Sequence, residues 1–488
     1  MRQTCIDARG LDRFVRLQHL PARAWTIAIL LALLVPVSAE AISRIDPDSL
    51  IALREKNLPS GSAVQPSDGS VDSLPPRAQV DASATPLATT AVSAAYSDAY
   101  WTAISELDLG ASRNVARTGE ESSLAEAMTM LAAGDLQQAE NAFARLSKGA
   151  KDINIAVASR IMLARTLMYQ HKWSMLRDMV PSPALVASDR VATAALEQWG
   201  RAFANIEPER TTFPDAPVTL PLQMTEAGTP AIRISVNGKN YEFWLDTGSS
   251  MTVVSSDVAA AARIPIIAAD TLQVRTFAGM AQVRPALVRT IQIGAITLLN
   301  TPAIVIDESM MKVRTSRDGG PIKSYRVDGI LGWDFIRQFD MVLDFQRGAV
   351  TLSKPEWLGT AGTAAQNLIW MGEPMVEARS KQGESVHLSL DTGAQSSFLN
   401  ARVLEKLGVS TTLATARVFG IASTGTSTTR KIPRLSLNIA GRSIGLEDVI
   451  VYGPSYSSLI GCDGVLGSDV AGGGIIEIDA TNGVFSVG

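Results

Sequence analysis

Phe243-Trp244-Leu245-Asp246-Thr247-Gly248-Ser249 and Leu388-Ser389-Leu390-Asp391-Thr392-Gly393-Ala394 are two copies of one pattern. In each, an apolar, strand-like run ends on an aspartate followed by threonine and glycine, the composition of a tight turn. Each copy is echoed downstream, by Asp328-Gly329-Ile330-Leu331-Gly332 and by Asp463-Gly464-Val465-Leu466-Gly467. One such tripeptide in 488 residues can arise by chance. Two copies, each with the same downstream partner, mark an internal repeat. Asp246 and Asp391 stand 145 residues apart, enough for one lobe each.

The sequence around both copies reads as short strands separated by Gly, Asn and Pro. In the first half these are residues 218–222, 231–236, 242–245, 286–293, 303–306 and 341–345, with Asn237-Gly238 as a hairpin turn. A similar order returns at 386–390, 434–439, 449–451 and 475–478. The expected architecture is two mainly-β lobes in tandem, residues 216–356 and 364–488, joined near 355–365.

Upstream the period changes. Leu124, Ala127, Met128 and Leu131 share a helical face, Gly134-Asp135 interrupts it, and Ala139, Phe143 and Leu146 continue on a second helix. Helical runs at 155–169 and 173–179 follow. Residues 111–205 are therefore expected to form a small α-helical domain. Gly134, Ala139 and Phe143 resemble the packing positions of a tetratricopeptide hairpin, which would make the region a docking module for a protein partner. Packing of a small helical domain on its neighbour is favoured, because such repeats need about three units to stand alone. Residues 40–110 read as a flexible linker, with a core at 58–95 rich in Pro, Ala, Ser and Thr that has too few apolar groups to offset its ordering entropy.

Residues 1–39 read as an address. Arg9, Arg13, Arg16 and Arg23 precede an apolar run at 24–35 that closes in small residues. The run is shorter than the roughly 20 residues of a spanning helix, yet its basic leader is long. A cleaved signal peptide and an uncleaved membrane tether both fit, and either implies export to the periplasm or its membrane face.

The formal charge of −4 carries no basic run, so nucleic acid is not an expected partner. The three histidines, His19, His171 and His387, are scattered, which counts against a zinc site or a Ser-His-Asp hydrolase. Removal of the N-terminus would leave Cys462 without Cys5. No cofactor and no metal are expected.

Two carboxylates brought together can activate water unaided. Both cannot ionise cheaply, so one takes the water's proton while its protonated neighbour polarises a carbonyl. Gly248 and Gly393 would let each turn approach the opposite lobe. Thr247 and Thr392 would cross-link one loop to the backbone of the other. Ser249, set against Ala394, would donate to Asp246 and make it the more acidic partner.

The tandem Asp-Thr-Gly motifs, each followed by Asp-Gly-apolar-Leu-Gly, resemble the retropepsin-like aspartic proteases in a bacterial-looking, two-lobed form. The resemblance covers about residues 218–488. It implies that Asp246 and Asp391 are the catalytic dyad and that Ile330-Leu331-Gly332 and Val465-Leu466-Gly467 support the aspartate turns. Asp334 and Asp469 read as helix caps or internal acceptors. Phe277 and Gly279 in the first lobe, and Phe419 and Gly420 in the second, follow the aspartates at similar distances and are candidate flaps. The implied activity is endopeptidase cleavage of a polypeptide. The alternative is a non-catalytic peptide-binding or scaffold protein of the same fold, with a helical docking region.

Overall fold

The computed structural model describes residues 26–28, 98–179, 197–267, 271–276, 279–315, 323–358, 366–420, 423–452 and 459–488. The linker core at 58–95 lies outside them. So does the address segment, apart from Thr26–Ala28, a short strand parallel to Arg417–Phe419. Among the described residues no helix is long and apolar enough to cross a membrane.

The helical layer runs Ala99–Ser105, Leu109–Val115, Gly119–Ala132, Leu136–Gly149, Ile153–Tyr169 and Trp173–Arg177, with a further turn at 197–203. Side-chain caps start the first five, from Asp98, Asp108, Thr118, Asp135 and Asp152. Thr118 and Glu121 form a full capping box. Gly134, at φ +77°, makes the turn between the third and fourth helices. Helix begins earlier than the sequence reading placed it. Residues 98–110, taken there as linker, are largely helical, because Asp98 caps a turn that buries Tyr100, Trp101 and Ile104.

Each β lobe contains a closed ring of six strands. In the first, Pro230–Val236, Lys239–Leu245, Gly329–Leu331, Val253–Ser255, Ile296–Ile306 and Gly279–Ile293 pair in that order, and the last returns to the first. In the second, Pro374–Ser380, Ser385–Leu390, Gly464–Leu466, Phe398–Asn400, Arg442–Tyr452 and Ser423–Ile439 do the same. Asn237 and Gly238 both have positive φ, as a type I′ hairpin requires. Alternation along each strand sorts the side chains. Phe243 and Leu245 enter the barrel core, while Trp244 joins Val253 and Ile330 in a second apolar cluster continuous with the helical layer.

A five-stranded sheet ties the lobes together. Asp340–Asp344 of the first lobe pairs antiparallel with Ile475–Asp479 of the second. Ala349–Ser353 and Val218–Pro221 extend one side, and Val484–Val487 extends the other. Met341, Leu343, Ile476, Ile478 and Phe485 are buried in it. The helices dock on both lobes. Gly461 N donates to Ser105 O at 2.7 Å. Tyr169 packs on Trp370 with ring centroids 4.2 Å apart, and the Arg337 guanidinium lies 4.2 Å from the Tyr169 ring.

Candidate active site

Both Asp-Thr-Gly turns leave the ends of central strands, Lys239–Leu245 and Ser385–Leu390, and meet at the lobe boundary. Equivalent parts hold each strand in place. Asp328 Oδ2 accepts from Glu242 N at 3.3 Å, and Asp463 Oδ2 accepts from His387 N at 3.0 Å. Each acceptor serves the residue four positions before an aspartate turn. Asp246 N then donates to Leu331 O at 3.1 Å, and Asp391 N to Leu466 O at 3.0 Å. The downstream motifs are thus braces for the turns. Sequence reasoning missed the role of Asp328 and Asp463, although their repetition in both copies was the signal.

Asp334 and Asp469 are internal acceptors. Asp334 takes Thr252 N at 3.0 Å and Thr252 Oγ1 at 3.2 Å, while Asp469 takes Ser397 N and, at 2.7 Å, Ser397 Oγ. Thr252 and Ser397 occupy matching places after the two aspartates, so these bonds fix the exit of each turn.

The threonines interlock the lobes. Thr247 Oγ1 donates to Leu390 O at 2.7 Å and accepts from Thr392 N at 2.9 Å. Reciprocally, Thr392 Oγ1 donates to Leu245 O at 2.9 Å and accepts from Thr247 N at 3.1 Å. All four bonds are buried. The glycines leave room for the opposing carboxylates. A Cβ on Gly248 would fall 2.6 Å from Asp391 Cγ, and one on Gly393 would fall 2.6 Å from Asp246 Cγ. No side chain fits at either position without moving an aspartate.

Asp246 and Asp391 are 0 % and 1 % exposed. Gly248 N donates to Asp246 Oδ1 at 2.9 Å, and Ala394 N to Asp391 Oδ1 at 3.0 Å. Neither Oδ2 atom receives a hydrogen bond from another described protein group. Burial raises the pKa of both carboxyl groups. The charge of Asp391 raises Asp246 further, while a hydrogen bond with Asp246 lowers Asp391, so the two carboxyl groups titrate together. The expectation that Ser249 donates to Asp246 is not met. Its hydroxyl donates to Met251 O at 2.8 Å, which leaves the serine bracing the turn rather than charging one aspartate.

The candidate flaps are backbone hairpins. Leu272–Thr276 pairs with the start of Gly279–Ile293, and Thr412–Gly420 pairs with the start of Ser423–Ile439. Gly279, Phe419 and Gly420 lie in these strands, whereas Phe277 is outside the described residues. Leu272, Val274, Ala281 and Val283 join the apolar cluster that contains Trp244 and Ile330. A further hairpin, Lys312–Thr315 with Lys323–Arg326, reaches from the first lobe to Thr412–Gly420 of the second.

Comparison with known proteins agrees with this geometry over part of the chain. Residues 232–335 match a family model described as aspartyl protease, a span that holds the first Asp-Thr-Gly and the first Asp-Gly-Ile-Leu-Gly. No curated protein matches the chain. A retropepsin-like aspartic protease from Rickettsia conorii aligns at 15 % identity over 30 % of this chain and 92 % of its own, with a TM-score of 0.19. An aspartic proteinase from Irpex lacteus aligns at 13 % identity over 56 % of this chain and 94 % of its own, with a TM-score of 0.31.

Proposed function

We propose that the protein is an aspartic endopeptidase in which Asp246 and Asp391 form one dyad. The observation that carries this reading is the reciprocal Thr247–Thr392 lock, which holds two buried carboxylates where each fills the space left by the opposite glycine. In the proposed reaction, water between the Oδ2 atoms gives a proton to the ionised carboxylate and attacks the scissile carbonyl carbon. The protonated carboxyl donates to the carbonyl oxygen, which gives a tetrahedral gem-diol without an acyl-enzyme. The dyad's proton then passes to the amide nitrogen, a gem-diol hydroxyl returns its proton to the dyad, and the C–N bond breaks to release amine and carboxylic acid. Because both carboxylates are buried, the groups that cover them have to move before a chain can enter, and the two hairpins are the candidates for that motion.

The basic and apolar pattern of residues 1–39 supports export, to the periplasm or to a membrane tether facing it. Helix contacts with Gly461 and Trp370 support a packing role for the helical region rather than a free tetratricopeptide-type docking surface. The test is the purified full chain on an unfolded protein at acid and neutral pH, with and without a statine-type transition-state mimic. Cleavage blocked by the mimic is expected. A folded protein that cleaves nothing at any pH would establish the binding or scaffold reading.

A further inference from the structure

A cavity near the two aspartate turns is walled by three separate parts of the chain. Ser250 and Met251, which follow the first Asp-Thr-Gly-Ser, form one side. Glu373, in the turn between Leu368–Trp370 and Pro374–Ser380, forms a second and accepts from Ser389 Oγ at 2.7 Å, two residues before Asp391. The helical layer supplies Arg165, Met168, Tyr169, His171 and Trp173, and the Tyr169 ring lies against Arg337 of the first lobe. The cavity therefore adjoins the strand or turn of both aspartates.

We propose that this cavity is a substrate subsite that takes a carboxylate of the bound peptide, with Arg165 and Arg337 setting the preference. The proposal rests on the endopeptidase reading above.

Its two arginines carry the argument. Among the described residues, neither guanidinium lies within 4 Å of a carboxylate oxygen, although both line one cavity. Arg337 lies against the Tyr169 ring, and Arg165 presses on Gly372, where a Cβ would come within 2.9 Å of its Nη1. Packing thus holds both side chains in place without a direct ion pair, although Glu373 acts on Arg165, and Asp334 and Glu209 act on Arg337, from beyond 4 Å. The acids nearby are already committed. Glu373 accepts from Ser389, and Asp334 accepts from Thr252 and Phe335. Burial raises Glu373, raises Asp334 to about 6, and pushes His171 down to about 3, so the imidazole is neutral. His171 Nδ1 is 3.6 Å from Glu209 Oε2, but with a neutral imidazole that contact is no ion pair. While Glu373 and Asp334 hold their protons, the two guanidiniums leave the cavity cationic.

The counterpart across the pseudo-twofold lacks this charge. There Gly228 sits against the Gln395 side chain, and Thr229 Oγ1 donates to Gly393 O at 3.1 Å. Arg165 and Arg337 thus mark one end of the site, which would give a bound chain a preferred direction.

The test uses peptide pairs that differ by Glu against Gln at successive positions, and pairs ending in a free acid against an amide. Binding is read on the full-length Asp246→Asn protein by tryptophan fluorescence, since Trp173, Trp333 and Trp370 line the cavity. Cleavage of the same pairs is read on the unsubstituted enzyme. One acid position, or the C-terminal acid, is expected to bind about tenfold tighter than its neutral partner. Arg165→Gln and Arg337→Gln should bring that ratio toward one, while Arg165→Lys should retain part of it. The pair that shows the effect tells a side-chain carboxylate from a chain terminus. Equal affinity for every pair, or a ratio that survives both glutamine variants in folded protein, overturns the proposal. If Arg165→Gln fails to fold, Arg337→Gln and Arg165→Lys decide. An acid preference in binding without any cleavage would sink the endopeptidase reading and leave the subsite standing.

Discussion

Replacing Thr247 with valine keeps the shape of the side chain and removes the hydroxyl on which half of the lobe lock depends. Two buried contacts disappear, the donation to Leu390 O at 2.7 Å and the acceptance from Thr392 N at 2.9 Å. Valine cannot accept from the amide, and at 1 % exposure Thr392 is out of reach of solvent. An orphaned buried N–H costs about 1–3 kcal/mol, and a lost bond at a carbonyl with a second lone pair about 1 kcal/mol. The expected destabilisation is therefore roughly 2–4 kcal/mol, a large share of the 5–15 kcal/mol typical of a folded domain. Thr247→Ser keeps the hydroxyl and loses one methyl, which costs about 1 kcal/mol. Equilibrium urea denaturation followed by tryptophan fluorescence measures both. The reasoning is refuted if the valine variant unfolds within about 0.5 kcal/mol of the parent, or if serine is as damaging as valine.

Gly248→Ala and Gly393→Ala each place a methyl 2.6 Å from the opposite aspartate, so peptide cleavage should fall at least a hundredfold, mainly in kcat; near-normal turnover would show that the carboxylates do not need this approach. The stabilisation contributed by Asp334 and Glu209 should be lost as pH rises from about 4 to 7.5, against an opposing gain from His171, which burial holds neutral in the fold. Burial raises Asp334 to about 6 and Glu209 to about 7, so the folded state holds protons that the unfolded chain, with its ordinary carboxyl values, has released. The advantage is complete below the unfolded values and is lost as pH passes the folded ones. Compared with the parent, Glu209→Gln should lose less Tm between about pH 5 and 7.5, and an identical pH dependence in the two proteins contradicts the linkage. Ser249→Ala should leave the acid limb of the pH–rate profile in place, because its hydroxyl bonds Met251 O; a clear displacement would restore the direct serine–aspartate contact.

Much of the β architecture was legible because its signals are local. Asn237-Gly238 demanded positive φ twice and received it, and the apolar runs before each aspartate became central strands. The glycines and threonines of the turns were legible as types, since the motif repeats, but the partners of their side chains lie 143 to 147 residues away. Interlobe features left no local trace. Pairing of Asp340–Asp344 with Ile475–Asp479 depends on how the lobes dock, and so does the meeting of Arg165 with Glu373. Ser249 misled because its hydroxyl bonds the backbone two residues on, at Met251 O, rather than a carboxylate. Ala99–Ser105 escaped because seven residues are too few to show a period.

The central claim is that two carboxylates, one from each lobe of a single chain, act as one proton-sharing dyad. The most direct measurement is the initial rate of peptide cleavage by Asp246→Asn and by Asp391→Asn, each purified to homogeneity and compared with the parent across pH 3 to 8. The account predicts that either substitution alone abolishes turnover while the fold survives. Retained activity in one of the two variants would contradict it, and would point to a site assembled from like lobes of two chains.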